Sequence, residues 1–208
     1  MKNLKFKIAN AFQKSKLFVA TGMSILVFTN ICEAQTQNKW NINLRPAANF
    51  PTQKMGDATL SAGFGFEGTV AYWFIPNLSA YAGWGWNKFQ ADKSFAGNNI
   101  DVVETGYKAG LKFRHLIGTS KLQYLLSAGA LYNHIEIENE DGNIVNDYKG
   151  HDLGWQAEGG IIVPLGERFT LTPTIRYQSL MTDVSIASTK TPVDLNYISA
   201  GLSLSYLF

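Results

Sequence analysis

Charged residues recur at alternate positions through several segments of this chain, on the same parity as many glycines and opposite to leucines, isoleucines and aromatic residues. Charged groups that share an enclosed face must pair, because an unpaired buried charge is expensive. The pattern indicates a structural network of salt bridges. A gate or narrow ion path through that network is the alternative. The set comprises Arg45, Glu67, Glu104, Lys108, Lys112, Arg114, Glu158 and Arg176.

Two histidines could support a different chemistry. His134 and His151 fall near the ends of neighbouring segments, with Glu136 and Ser179 close in parity and height. A serine, a histidine and a carboxylate form the minimal arrangement of nucleophile, base and orienting group. The simpler interpretation is a pair of hydrated histidines at a rim, and we predict no catalytic residue.

An acidic segment, residues 136–149, could hold a divalent cation. Its carboxylates do not have the register of an EF-hand, because Gly142 would put Ile137 at the first ligand position. We therefore interpret the segment as a solvated loop and predict neither a metal site nor a cofactor. Its acidic members are Glu136, Glu138, Glu140, Asp141 and Asp147.

The elements that position these residues are β-strands, since apolar and polar residues alternate with a period of two between turn-forming residues. Connections after the second, fourth and sixth strands are short, whereas the others are longer and more polar, including 92–99 and 182–192. The eight predicted strands are Trp40–Phe50, Leu60–Phe74, Leu78–Phe89, Ile100–His115, Lys121–Ile135, His151–Val163, Phe169–Leu180 and Tyr197–Phe208.

The charge-free parity of these strands, which includes Leu60, suits contact with lipid. A Lys or Arg facing lipid at mid-bilayer costs roughly 2–4 kcal/mol. Aromatic residues on this parity form two predicted girdles. The girdle near the long connections comprises Trp84, Trp86, Tyr132, Trp155 and Tyr177, and the girdle near the short turns comprises Tyr72, Phe74, Phe113, Tyr124, Phe169, Tyr206 and Phe208.

These patterns predict an all-β fold, an eight-stranded antiparallel up-and-down transmembrane β-barrel. The inward glycines suit a barrel whose interior is only wide enough for side chains to fill. Pro46 and Pro173 each remove a ladder donor, so a bulge or unpaired stretch is expected there. A soluble ligand-carrying barrel would instead place apolar residues inside, and a larger pore would need a longer chain.

The first segment is predicted to be a removable signal peptide, residues 1–34, which leaves a barrel domain of residues 35–208. Five lysines precede an apolar core, Leu17–Phe28, and small residues precede a cleavage site between Ala34 and Gln35. A lipoprotein site at Cys32 is the alternative. Removal of this segment leaves 13 basic and 15 acidic residues and no cysteine, which excludes disulfide chemistry and gives no indication of nucleic-acid binding.

Residues 39–208 resemble the small outer-membrane β-barrel family, which includes the transmembrane domain of outer membrane protein A, outer membrane protein X and the opacity-type proteins. The resemblance rests on the strand pattern, on the Gly63–Phe74 segment with Pro76–Ser79 after it, and on the last six residues. It implies an assembly signal with a terminal aromatic residue and alternating apolar residues, matched by Leu202, Leu204, Tyr206 and Phe208.

The sequence therefore predicts a non-enzymatic protein of the bacterial outer membrane with a filled lumen and a structural or surface-interaction role. The expected partners are outer-membrane lipid and lipopolysaccharide, the barrel assembly machinery, and a host or surface ligand at the loops. A narrow channel for small or hydrophobic solutes is the second interpretation. A lipid A acyl-modifying enzyme is the third, although the chain lacks the His-x-Ser motif of such enzymes.

Overall fold

The computed structural model describes residues 39–94, 97–146, 150–186 and 189–208. The predicted signal peptide and Asp147 lie outside these residues. Eight antiparallel strands close into one barrel in sequence order, β1 to β8. Their bounds are Trp40–Pro51, Gly63–Ile75, Leu78–Ser94, Gly97–Leu116, Gln123–Glu138, Asp152–Leu165, Phe169–Ile186 and Thr189–Leu207. The predicted fold class is thus confirmed.

Closure brings the two ends of the sheet together. Ile42 of β1 pairs with Tyr206 of β8, and Leu44 pairs with Leu204. Backbone hydrogen bonds join Trp40 and Phe208 in both directions, at 3.1 and 2.9 Å. Because closure satisfies the strand edges internally, the backbone can cross an apolar phase.

Two of the predicted long connections are mostly strand, so those loop predictions were wrong. The β3–β4 ladder continues to Ser94 opposite Gly97, and the β7–β8 ladder continues to Ile186 opposite Thr189. Such a ladder uses backbone groups that every non-proline residue carries, so polar side chains do not end it. The acidic segment is also shorter than expected, since β5 extends through Glu138.

The predicted faces are confirmed, with Leu60 as the exception. Apolar side chains on the predicted outer parity are exposed on the barrel wall, for example Leu44 at 60%, Tyr107 at 60% and Ile175 at 66%. Leu60 precedes β2 and is buried among apolar side chains inside the barrel. The segment between β1 and β2 turns inward there, so the parity of β2 does not extend to it.

Both prolines interrupt a ladder, as predicted. Pairing of β1 with β8 skips from Leu44 to Ala47 around Pro46. Pairing of β7 with β6 likewise stops at Thr174 and resumes at Leu171, on either side of Pro173. Proline has no N–H to donate, so each ladder loses a bond. An open apolar groove of about 1020 Å³ lies on the barrel wall beside the two prolines.

Candidate functional site: a lumen closed at two levels

Five of the predicted charges meet across the middle of the lumen. We call Arg45, Glu67, Lys108, Glu158 and Arg176 the central ion network. Arg176 binds Glu67 with both terminal nitrogens, Nη2 at 2.6 Å, and also donates to Glu158 from Nε at 2.9 Å. Lys108 Nζ donates to Glu67 at 2.6 Å. The network therefore connects the walls of the barrel rather than lining them.

Arg45 completes this network from the first strand. It lies opposite Glu67 in the ladder, yet its Nε is 3.4 Å from Glu158 and donates to Thr174 Oγ1 at 2.8 Å. The guanidinium passes over Gly201, where a Cβ would overlap it. A glycine at this position gives the arginine the space to cross the lumen.

The other predicted charges do not join the central ion network. Glu104 is fully buried and accepts hydrogen bonds from Tyr197 Oη at 2.6 Å, Asn133 Nδ2 at 2.7 Å and Asn87 Nδ2 at 3.0 Å. These neutral donors stabilise the buried carboxylate of Glu104. Lys112 Nζ lies 4.8 Å from the ring centre of Tyr81, so an aromatic face takes the place of a carboxylate.

Arg114 lies at the end of the barrel that carries the short turns, which we call the short-turn end. Its guanidinium stacks 3.7 Å from the ring centre of Trp73, and its Nε donates to the carbonyl of Pro76 at 3.0 Å. The side chain is half-buried. It therefore belongs to the rim rather than to the middle of the lumen.

An apolar cluster closes the lumen at the opposite, long-loop end, and the sequence interpretation did not include it. Met55 and Ala58, in the segment between β1 and β2, are fully buried against inward residues of the strands. We call this set the outer apolar cluster. It comprises Met55, Ala58, Leu60, Phe89, Ala91, Ile100, Val102, Ile135, Ile137, Leu180, Val184, Val193, Leu195 and Tyr197.

The sequence did carry a signal for this cluster. Phe89, Val102, Ile137 and Leu195 continue the inward parity of their strands beyond inward polar residues, so the inner face changes from polar to apolar. No such pattern predicted the burial of Met55, because Met55 lies outside the strands. Its backbone pairs with Ala58 around Gly56, which has φ +63°, and this tight turn directs the segment inward.

The two histidines meet on the outside of the barrel, near the long-loop end. His134 Nδ1 lies 3.2 Å from His151 Nε2, and His134 Nε2 lies 3.2 Å from Glu136 Oε1. The His151 ring stacks on Tyr132, with ring centres 4.9 Å apart. Ser179 pairs with Asn196 of β8 in the ladder, and no hydrogen bond joins it to either histidine in the described part of the chain.

Acidic side chains near this rim are partly neutralised. Lys88 Nζ lies 2.8 Å from Asp101 and 3.2 Å from Glu138. The predicted turn at Asp141–Gly142 is present, with φ +76° at Gly142. Within the residues described, no group of three or more His, Cys, Asp or Glu side chains could hold a metal ion.

No family model and no curated protein matches this sequence. Its structure is similar to the outer membrane protein OprG from Pseudomonas aeruginosa, with TM-score 0.62 and 17% identity over 83% of this chain and 98% of that one. Neisserial surface protein A gives a TM-score of 0.56 and 14% identity over 81% of this chain and 97% of that one. The outer membrane protein W of E. coli gives a TM-score of 0.54 and 14% identity over 83% of this chain and 98% of that one.

The chain has the fold of the small eight-stranded outer-membrane β-barrels. The exposed aromatic residues of this barrel occur in pairs on its wall. Trp155 and Tyr177 have ring centres 5.3 Å apart, and Phe64 and Trp86 lie 5.4 Å apart. Trp84 and Tyr132 are exposed there as well. Their depth in a bilayer, and hence the predicted girdle, stays a prediction.

The C-terminal strand of the barrel presents its predicted assembly residues outward. Leu202, Leu204 and Phe208 are exposed, and the ring of Tyr206 stacks on that of Phe208. Recognition of these residues during assembly stays a prediction. No helix in the described ranges is long and apolar enough to cross a membrane.

Proposed function

We propose that this protein is a non-conducting barrel of the bacterial outer membrane that acts through its outward-facing loops, in a structural or surface-interaction role. The observation that carries the proposal is the double closure of the lumen. The central ion network ties opposite walls together, and the outer apolar cluster fills the space above it. A solute would have to displace both.

The short-turn end would face the periplasm, as it does in bacterial barrels with short inner turns and longer outer loops. In this proposal the exposed apolar wall contacts lipid, and His134 and His151 contact lipopolysaccharide headgroups. The exposed terminal aromatic residue supports recognition by the barrel assembly machinery after export. A host or surface ligand would bind at the segments between β1 and β2 and between β5 and β6.

Epitope insertion tests this orientation. A short tag between Asp141 and Gly142 should bind antibody on intact cells, because this turn lies at the long-loop end. The matched control places the same tag between Gly118 and Thr119, in an exposed short turn, where labelling should require permeabilised cells. Labelling of the control tag on intact cells would reject the orientation.

Conductance tests the double closure. The purified protein, with its fold verified by the gel shift between boiled and unboiled samples, is inserted into planar bilayers and into liposomes for swelling assays. We expect negligible conductance and no swelling, in the parent and in Glu67→Ala and Arg176→Ala, since the outer apolar cluster remains. Stable channel events in the parent would overturn the proposal and favour a narrow channel.

We further propose that the protein is not an enzyme. A serine nucleophile must reach its base within about 2.6–3.2 Å, and Ser179 makes no hydrogen bond to His134 or His151 among the described residues. Incubation of the folded protein with lipid A should release no acyl chain, as judged by mass spectrometry. Release that is lost in Ser179→Ala would overturn this part of the proposal.

A further inference from the structure

Charged and polar side chains line a cavity at the short-turn end of the lumen. We call this cavity the short-turn vestibule. Its volume is about 30 Å³, and its walls include Trp73, Lys112 and Arg114. A single buried water needs about 10–15 Å³, so the space admits a small ion. The vestibule is separate from the outer apolar cluster and lies below the central ion network.

Two buried donors, Trp73 and Lys112, line the vestibule, and Ser79 lies between them in the sheet without lining the cavity. Trp73 lies opposite Ser79 in the β2–β3 ladder, and Ser79 lies opposite Lys112 in the β3–β4 ladder. Their exposed fractions are 5%, 0% and 8%. Trp73 Nε1 and Ser79 Oγ have no hydrogen-bond partner among the described residues. Buried polar groups are normally satisfied, so these two require an explanation.

The chemistry of the donors selects an acceptor. An indole N–H and an ammonium group can only donate. Among the described residues, Lys112 contacts the ring of Tyr81 and makes no ion pair within 4 Å. Asn41 Oδ1 is also unpartnered and is an acceptor, which suits an oxyanion that carries a proton.

The electrostatics select an anion. Glu67 and Glu158 reach the vestibule, but both are engaged by the cations of the central ion network. Lys112 and Arg114 add two further positive charges at the vestibule itself. A small anion would offset this excess of positive charge and would supply the hydrogen-bond acceptor that the buried donors lack.

We propose that the short-turn vestibule binds a small oxyanion, of the class of inorganic phosphate, through Trp73 Nε1 and Lys112 Nζ as donors and Asn41 Oδ1 as an acceptor. The site requires neither a conducting lumen nor a particular orientation of the barrel. It is therefore independent of the function proposed above.

The test follows the indole N–H of Trp73. The protein is labelled with ¹⁵N-tryptophan, folded in detergent and titrated with inorganic phosphate at constant ionic strength. The chain has five tryptophans, and Trp73→Phe assigns the resonance. We expect one saturable shift at Trp73. No shift, or an equal shift with sodium chloride alone, would overturn the proposal and leave a hydrated vestibule.

Matched variants locate the site. Lys112→Met removes a charged donor, so the apparent dissociation constant should rise by about tenfold or more. Lys54→Met makes the same charge change at an exposed position between β1 and β2 and should leave binding unchanged. If Lys112→Met does not fold, Asn41→Ala, which removes an unpartnered amide oxygen from the wall of the vestibule, should still weaken binding by about threefold or more. Parent-like affinity in Asn41→Ala would reject the assignment.

Discussion

The central ion network and the outer apolar cluster close the same lumen by different physical means. In the network, Arg176 depends on the positions of Glu67 and Glu158, because ionic hydrogen bonds are directional and short. In the cluster, the stabilisation by Phe89 and Leu195 depends on the volume that their side chains fill, because the hydrophobic effect is not directional. The network should therefore fail when one partner is lost, whereas the cluster should weaken in proportion to the volume removed.

The largest expected effect comes from breaking the network at Glu67. Glu67→Gln leaves the ammonium of Lys108 buried without a carboxylate, so we expect the free energy of unfolding to fall by about 3–5 kcal/mol. Urea unfolding from lipid vesicles measures it. Glu140→Gln, at an exposed turn position, is the charge-matched control and should behave as the parent. Equal free energies of unfolding in the two variants would show that the network does not fail when one partner is lost.

A somewhat smaller effect is expected from opening a cavity in the cluster. Leu195 is 1% exposed, and Leu195→Ala should cost about 2–5 kcal/mol, depending on how far the neighbours relax. Leu153→Ala, on the wall at 72% exposure, is the matched control and should cost less than half as much. The same unfolding assay applies. A loss no greater than that of the control would mean that the cluster is loosely packed.

Tyr197 connects the outer apolar cluster to Glu104, a carboxylate outside the central ion network, since its ring lies in the cluster and its hydroxyl donates to Glu104. Tyr197→Phe keeps the ring and removes the hydrogen bond to the carboxylate, together with those that the hydroxyl accepts from Asn87 Nδ2 and Gln178 Nε2, so we expect a loss of about 1.5–3 kcal/mol. Tyr132→Phe, on the outer wall, controls for the loss of a hydroxyl. A loss in Tyr197→Phe that matches this control would indicate that Asn87 and Asn133 satisfy Glu104 without it.

The smallest effect concerns coupling between the regions. Glu67 and Leu195 share no direct partner among the described contacts, so the losses in the double variant should add to within about 0.5 kcal/mol. A double-mutant cycle in the unfolding assay measures this term. A coupling of 1 kcal/mol or more would show that the two closures act as one unit.

The inner and outer faces of the barrel could be predicted because alternation is a local property. Glu67 and Arg176 are each flanked by outward apolar residues, which fixes their face without any knowledge of the neighbouring strands. Pro46 and Pro173 likewise predicted their ladder gaps, since the missing N–H is a property of the residue itself. The hairpin extensions at Ser94 and Ile186 were not predicted, because polar residues outnumber the inward apolar residues there, such as Val184 and Val193.

The contacts of the site could not be predicted to the same depth. Arg45 faces Glu67 in the ladder but reaches Glu158 instead, because the lumen is narrow enough for one arginine side chain to reach across it. Glu104 and Lys112 share the parity of the central ion network but not its height. Parity gives the face of each residue, whereas height depends on the tilt and stagger of the closed sheet.

The sequence by itself determined the eight strands, their faces and the confinement of charge to the interior, since each follows from a period of two and from the cost of a charge in lipid. Only the tertiary structure decided the contact of Arg176 with Glu67 across 109 residues, the burial of Met55, and the enclosure of Trp73 and Lys112 in one vestibule. These arrangements exist because closure of the barrel confines side chains of many strands to one narrow lumen.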